Sequence, residues 1–79
     1  MNDWSWDWAM GVLRSVVIDC EGALPAGDIA TIWEFIDVGE PGLALETLCT
    51  QLDEYEVPVS AETLSRLDQL RAHYFDVDQ

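Results

Sequence analysis

The sequence predicts an all-α fold, a compact bundle of four short helices, from three observations. Apolar residues recur at spacings of three and four in four separate segments, which is the period of an amphipathic helix. Glycine and proline, which interrupt helices, separate these segments. No segment reads convincingly as a strand. We therefore expect a single domain over residues 1–79, with helices at about 7–20, 28–38, 41–55 and 61–74. Residues 1–5 and 76–79 are expected to fray.

The first helix begins in a tryptophan-rich segment. Trp4, Trp6 and Trp8 alternate as in a strand, but the residues that follow have the helical period. We expect a buried seam made of Trp6, Met10, Leu13, Val17 and Cys20. Trp4 and Trp8 fit this seam poorly, so they are candidates for a protein interface or a lid over the bundle end, with ordinary packing in the core as the alternative.

Residues 37–46 contain the sharpest turn in the sequence. Gly39 can take the left-handed conformation that ends a helix. Pro41 suits the first position of the next helix, because its φ is already helical. Glu40 then lies near the positive end of the new helix dipole. This stretch predicts a helical hairpin between the second helix and the central third helix.

The last three helices are predicted from their apolar faces and capping residues. Asp28 and Ser60 are the expected N-caps of the second and fourth helices, and Asp3 or Ser5 that of the first. Because the loops are short, sequential helices should pack antiparallel. The expected apolar faces are Ile29, Ile32, Trp33 and Ile36; Leu45, Leu48, Cys49, Leu52 and Tyr55; and Leu64, Leu67, Leu70, Arg71 and Tyr74.

The net charge of -13 is the most unusual property of the composition. Sixteen carboxylates face three arginines and no lysine, so most of the acids cannot be paired. Nucleic acid and anionic membranes would repel such a chain, since both are bound through Lys and Arg. The composition instead favours a basic protein partner, whose association would depend on salt.

The sequence predicts neither a secretion signal nor a membrane span. A positive segment before an apolar run is missing at the start, and the apolar runs are far shorter than a membrane requires. We therefore expect a cytoplasmic protein. Cys20 and Cys49 lie in apolar stretches, where free cysteine behaves as a small hydrophobic residue, and a disulfide is not expected in that compartment.

The sequence predicts no catalytic, metal-binding or cofactor-binding site. Asp53, Glu54 and Glu56 are close in sequence, but the pattern favours a solvated face over a buried acid–base pair. His73 is the only histidine, and the acids lack the spacing of a calcium loop. We expect a protein that is not an enzyme.

Residues 29–72 contain an acid-x-Gly-Glu turn, an Ala-x-Glu-x-Leu helix start and a Gln-Leu-x-Glu continuation, followed by a short final helix. These motifs give the region a resemblance to the MafI-like immunity protein family. The resemblance implies a small bacterial immunity protein that binds and neutralises a cognate toxin of a polymorphic or contact-dependent system. The matching positions are Asp37, Gly39, Glu40, Ala44, Glu46, Leu48, Gln51, Leu52 and Glu54.

The resemblance and the charge together suggest how such a protein would act. Many toxins of this kind are nucleases with basic substrate-binding surfaces, so we hypothesise that the acidic chain occludes a nuclease in a stoichiometric complex. The alternative is an acidic helical adaptor or dimerisation module for another basic protein, and exposed aromatic residues are compatible with a homodimer. The partner-binding candidates are Trp4, Trp8, Asp37, Glu40, Asp53, Glu54 and Glu56.

Overall fold

A computed structural model describes residues 3–75, with side chains described from Trp6 onward. It contains four helices, α1 (Asp3–Cys20), α2 (Ala26–Asp37), α3 (Pro41–Glu54) and α4 (Ala61–Tyr74). No strand occurs in the described part of the chain. The predicted all-α bundle is therefore confirmed. Helix α1 begins a turn earlier than expected, so residues 3–5 are helical, whereas residues 1–2 and 76–79 lie outside the described range.

The four helices pack as two pairs, α2 mainly on α3 and α1 mainly on α4. Within the first pair, Gln51 Nε2 near the end of α3 donates to Asp28 Oδ2 near the start of α2, at 2.9 Å. In the second pair, Asp19 near the end of α1 contacts Arg66 in the first half of α4, at 2.8 Å. Both pairs are thus antiparallel. The prediction that α1 also packs on its neighbour α2 is wrong, because α1 pairs with α4 instead.

All four helices contribute to one hydrophobic core. Helix α1 supplies the largest share, and α3 and α4 each add fully buried leucines. The short loop before α2 contributes Leu24. The largest fully buried side chains are Leu13, Val16, Val17, Ile32, Leu45, Leu48, Leu67 and Leu70.

Three apolar residues expected in the core are exposed, namely Trp6, Tyr55 and Leu64, at 48%, 50% and 47%. Helix α1, at 18 residues, is longer than the 14-residue α4, so its first turn passes the end of its partner and leaves Trp6 uncovered. Tyr55 follows the last residue of α3, where the chain turns away. On α4 the buried seam runs through Thr63 and Leu67, so Leu64 lies at its flank.

The same backbone turn ends both α2 and α3. After α2, Gly39 has a φ of 80°, and the amides of Gly39 and Glu40 donate to the carbonyls of Ile36 and Phe35. This is the Schellman arrangement, and it confirms the predicted left-handed glycine. Pro41 then takes the first position of α3, also as predicted, and is buried.

After α3, a Schellman turn forms without glycine. The amides of Glu56 and Val57 donate to the carbonyls of Asp53 and Leu52. Glu56 occupies the left-handed position, with a φ of 52°. Val57 and Leu52 both pack into the core, which supplies the apolar contact that usually accompanies this turn.

The predicted N-caps have different outcomes. Ser60 caps α4 by accepting from the Thr63 amide, as expected. Asp28 is not a cap, because α2 starts two residues earlier, after the extended Pro25. For α1, Asp3 is the first helical residue and Ser5 lies inside the helix, so both predictions are wrong and the cap position falls outside the described residues.

Candidate protein-binding surface

The charges of the two helix pairs differ sharply. No Lys, Arg or His occurs between residues 15 and 65, a stretch that contains all of α2 and α3. The basic residues Arg14, Arg66, Arg71 and His73 all belong to α1 and α4. The hairpin formed by α2 and α3 is therefore acidic without internal compensation.

Seven exposed carboxylates on this hairpin and its two turns form what we call the acidic hairpin surface. Within the described residues, the carboxylates in salt bridges are Asp19, Glu62 and Asp68, which all belong to α1 and α4. The seven acids are exposed, and no Arg or His among the described residues lies within salt-bridge distance of them. The acidic hairpin surface consists of Glu34, Asp37, Glu40, Glu46, Asp53, Glu54 and Glu56.

Helix α3 presents its share of these acids in one stripe. At about 100° per residue, its exposed side chains fall within an arc of about 100°. The first and last members of the stripe are about 16 Å apart along the helix axis. A partner can therefore contact the whole stripe with one face. The stripe contains Leu43, Glu46, Thr50, Asp53 and Glu54.

Exposed apolar side chains lie among the acids at both ends of the hairpin. At the turn between α2 and α3, Val38 and Leu43 are 66% and 44% exposed. At the other end, Tyr55 is 50% exposed and lies between Glu54 and Glu56 in sequence. Interfaces draw most of their affinity from a few such anchors, with charged residues around them. Both ends therefore combine acids with an anchor.

The structure divides the predicted acidic candidates between the two ends. Asp37 and Glu40 flank the turn before α3, whereas Asp53, Glu54 and Glu56 surround the end of that helix. About 20 Å separates the two groups along the helix. They can act together only on a partner surface of at least that width.

Trp8 lies on the other helix pair. Its ring packs edge-on against His73 of α4, with 6.0 Å between ring centroids, and it is 40% exposed. It is therefore not part of the acidic hairpin surface. The side chain of Trp4, the other tryptophan candidate, lies outside the described residues.

The predicted binding candidates do not include five residues of this surface: Glu34, Val38, Leu43, Glu46 and Tyr55. A signal was present, because the run without a basic residue can be read directly from the sequence. The run indicates an acidic surface only once α2 is known to pair with α3, because this pairing places the run in one half of the molecule.

Glu40 lies at the start of α3, near the positive end of the helix dipole, as the sequence predicts. Glu40 is the N-cap residue of α3, but its side chain makes no capping hydrogen bond. Glu46 lies in the second turn of the helix, where the dipole effect has largely decayed. Both side chains are exposed.

A cavity of about 380 Å³ lies at the bundle end where α1 finishes and α4 begins. Its acids Asp19 and Glu62 are both bound by Arg66, at 2.8 and 2.9 Å. Burial and then the neighbouring Asp19 carboxylate raise the pKa of the Cys20 thiol. A thiol of this kind is protonated at neutral pH and is a poor nucleophile.

Both cysteines are free thiols. Burial also raises the pKa of the Cys49 thiol, although Arg71 opposes this through a contact of 3.4 Å to the sulfur. In the described residues, no group of three or more His, Cys, Asp or Glu side chains is arranged to hold a metal ion.

None of the described helices is both long enough and apolar enough to cross a membrane. In comparisons with family models, curated proteins and solved structures, no match to this chain was found. The resemblance to the MafI-like immunity proteins therefore stays a prediction.

Proposed function

We propose that this protein is an immunity protein that binds a basic surface of a cognate bacterial toxin and neutralises it without catalysis. It acts in the cytoplasm as a stoichiometric inhibitor that covers the toxin's working surface. The observation that carries this proposal is the acidic hairpin surface, where exposed acids surround apolar anchors and have no salt-bridge partner among the described residues.

The motif that resembles the MafI-like immunity proteins divides into two groups of residues, and this division supports the proposal. Five positions are accounted for by the fold: Gly39 by its positive φ, Gln51 by its bond to Asp28, and Ala44, Leu48 and Leu52 by burial. The remaining positions are exposed acids with no partner in the described residues. They are Asp37, Glu40, Glu46 and Glu54, all on the acidic hairpin surface.

The chemistry of this surface suits a partner that binds nucleic acid. A nuclease must present Lys and Arg to phosphates, and the same residues attract a dense group of carboxylates. Long-range attraction would raise the association rate, and the apolar anchors would then slow dissociation. We hypothesise on this ground that the toxin is a nuclease, and that the inhibitor excludes its substrate.

Co-expression tests the proposed function directly. We expect the protein to restore growth to bacteria that produce the toxin encoded beside its gene. Rescue should depend on the amount of inhibitor, because neutralisation is stoichiometric. The alternative, an acidic adaptor for another basic protein, predicts binding without rescue. Failure to restore growth at full expression of the inhibitor would overturn the proposed function.

Charge reversal tests the surface. Changing Asp53, Glu54 and Glu56 together to Lys should slow association with the toxin by about tenfold or more at low salt. The measurement is stopped-flow or surface-plasmon kinetics at several NaCl concentrations. An unchanged association rate would place the contact elsewhere.

A matched control separates local contact from total charge. The variant Asp7→Lys, Glu62→Lys, Ser65→Lys and Gln69→Lys changes the net charge by the same amount, but at exposed positions on α1 and α4. If the hairpin makes the contact, this control slows association much less than the hairpin variant does. Equal effects of the two variants would show that net charge alone governs the rate.

A further inference from the structure

One flank of α4 is largely exposed and touches α3 through Arg71, which lies 3.4 Å from the Cys49 sulfur. Leu64 and Phe75 are 47% and 46% exposed, although both are large and apolar. Asp68 and Arg71 are exposed between them and form a salt bridge of 3.2 Å. The spacing of four, three and four places all four side chains in an arc of about 60° on the helix. We call Leu64, Asp68, Arg71 and Phe75 the α4 outer stripe.

The α4 outer stripe is self-complementary. In an antiparallel pair of identical helices related by a two-fold axis, each residue lies opposite the residue of the other copy that is equally far from the axis on its other side in the sequence. For an axis midway between residues 69 and 70, Leu64 faces the Phe75 of the other copy. Asp68 then faces the other copy's Arg71. Each apolar residue thus meets an apolar residue, and each charge meets its opposite.

A second copy meets less charge repulsion at α4 than at the other three helices. Two chains of net charge -13 repel each other, so a homodimer requires a contact that is locally neutral. Helix α4 carries two acids, Glu62 and Asp68, and two arginines, Arg66 and Arg71. Helices α1, α2 and α3 each carry more acids than arginines. A shallow groove of about 390 Å³ beside Asp68, Arg71 and Phe75 can receive side chains of a second copy.

We propose that the α4 outer stripe is a homodimer interface, in which α4 of one copy packs antiparallel on α4 of a second copy. The contact spans about 17 Å of one helix. One stripe of this length buries less surface than the about 800 Å² per partner of a standard interface. The dimer is therefore weak and depends on concentration. It leaves the acidic hairpin surface to a different partner.

Sedimentation equilibrium between about 10 µM and 1 mM tests the proposal. The apparent mass should rise from 8.9 kDa towards twice that value. Leu64→Ser should reduce the association constant by about tenfold, whereas Ile18→Ser, at a more exposed apolar position on α1, should leave it unchanged. A wild-type chain that stays monomeric throughout would overturn the proposal.

Two charge reversals distinguish this interface from general repulsion. Asp68→Arg brings the net charge from -13 to -11 and Arg71→Asp brings it to -15, so general repulsion would make the first variant dimerise better. The self-complementary stripe predicts that each variant alone dimerises about tenfold less, because it places like charges opposite each other in two places. Circular dichroism checks that both variants remain folded.

Mixing the two variants is the decisive measurement. An Asp68→Arg chain presents two positive side chains on its stripe, and an Arg71→Asp chain presents two negative ones. The mixture should therefore form a heterodimer at least as readily as the wild type forms a homodimer. Loss of a purely intramolecular salt bridge cannot produce this recovery. A mixture that associates no better than its separate components would overturn the proposal.

Discussion

Glu56 occupies a backbone position that normally belongs to glycine. Its φ of 52° is left-handed, and its turn repeats the hydrogen bonds that surround Gly39, whose φ is 80°. For a residue with a Cβ, the left-handed region costs roughly 1–2 kcal/mol. The end of α3 therefore holds local strain that the end of α2 avoids.

Glu56→Gly should stabilise the protein. The relief of strain is partly offset by the greater freedom of glycine in the unfolded chain, so we expect an increase of about 0.5–1 kcal/mol in the free energy of unfolding. Urea denaturation measures it. Glu56→Gln is the control, since it removes the same charge and keeps the Cβ. If the glycine variant were no more stable than the glutamine variant, the strain argument would be wrong.

Tyr74 has a buried hydroxyl with no hydrogen-bond partner among the described residues. An unsatisfied hydroxyl costs about 1–3 kcal/mol, so Tyr74→Phe should raise the free energy of unfolding at pH 7 by about 1 kcal/mol. Tyr55→Phe is the control, because that residue is exposed. A loss of stability in Tyr74→Phe would show that the hydroxyl has a partner.

The same variant should change the pH dependence of stability. Burial raises the pKa of Tyr74 above its ordinary value of 10.0. In alkaline solution the unfolded chain loses this proton first, so ionisation of Tyr74 has no effect on the free energy of unfolding below about pH 10 and lowers it as pH rises through the folded-state pKa. Denaturation at pH 7 to 11 should show a shallower decline in Tyr74→Phe. Both proteins keep Cys20 and Cys49, so the difference isolates the phenol.

At the scale of elements, the sequence predicts the helices well because each boundary has a local cause. Gly39 ends α2, Pro41 starts α3, and Ser60 caps α4 through its own hydroxyl. These effects depend on neighbouring residues alone. The start of α2 was misplaced because Asp28 resembles a cap, whereas its carboxylate binds Gln51, 23 positions away.

The errors in the predicted core arise from contacts between elements. Trp6 has the right spacing for the seam of α1, but α4 is too short to cover it. The periodicity of one helix carries no information about the length of its partner. The sequence predicts only part of the candidate surface for the same reason. The acids of residues 34–56 form one surface only because α2 pairs with α3.

At the scale of the whole molecule, the unpaired charge should make stability depend on salt. Raising NaCl from about 10 mM to 500 mM shortens the Debye length from about 30 Å to about 4 Å and screens repulsion among the acids. The salt bridges are exposed and contribute little that screening could remove. We expect the free energy of unfolding to increase by on the order of 1 kcal/mol.

Urea denaturation at about 5 µM protein measures this effect at a concentration too low for a weak dimer. KCl in place of NaCl is the control, because screening depends on ionic strength and not on the cation. Stability that falls with added salt would mean that attractive charge pairs outweigh the repulsion.

The separation of acids from arginines also gives the molecule an electric dipole. Its negative end is the hairpin, and its less negative end is the pair α1 and α4. In the field of a basic protein, a molecule of this kind experiences a torque as well as an attraction. It turns its hairpin forward before contact, so fewer collisions arrive in the wrong orientation.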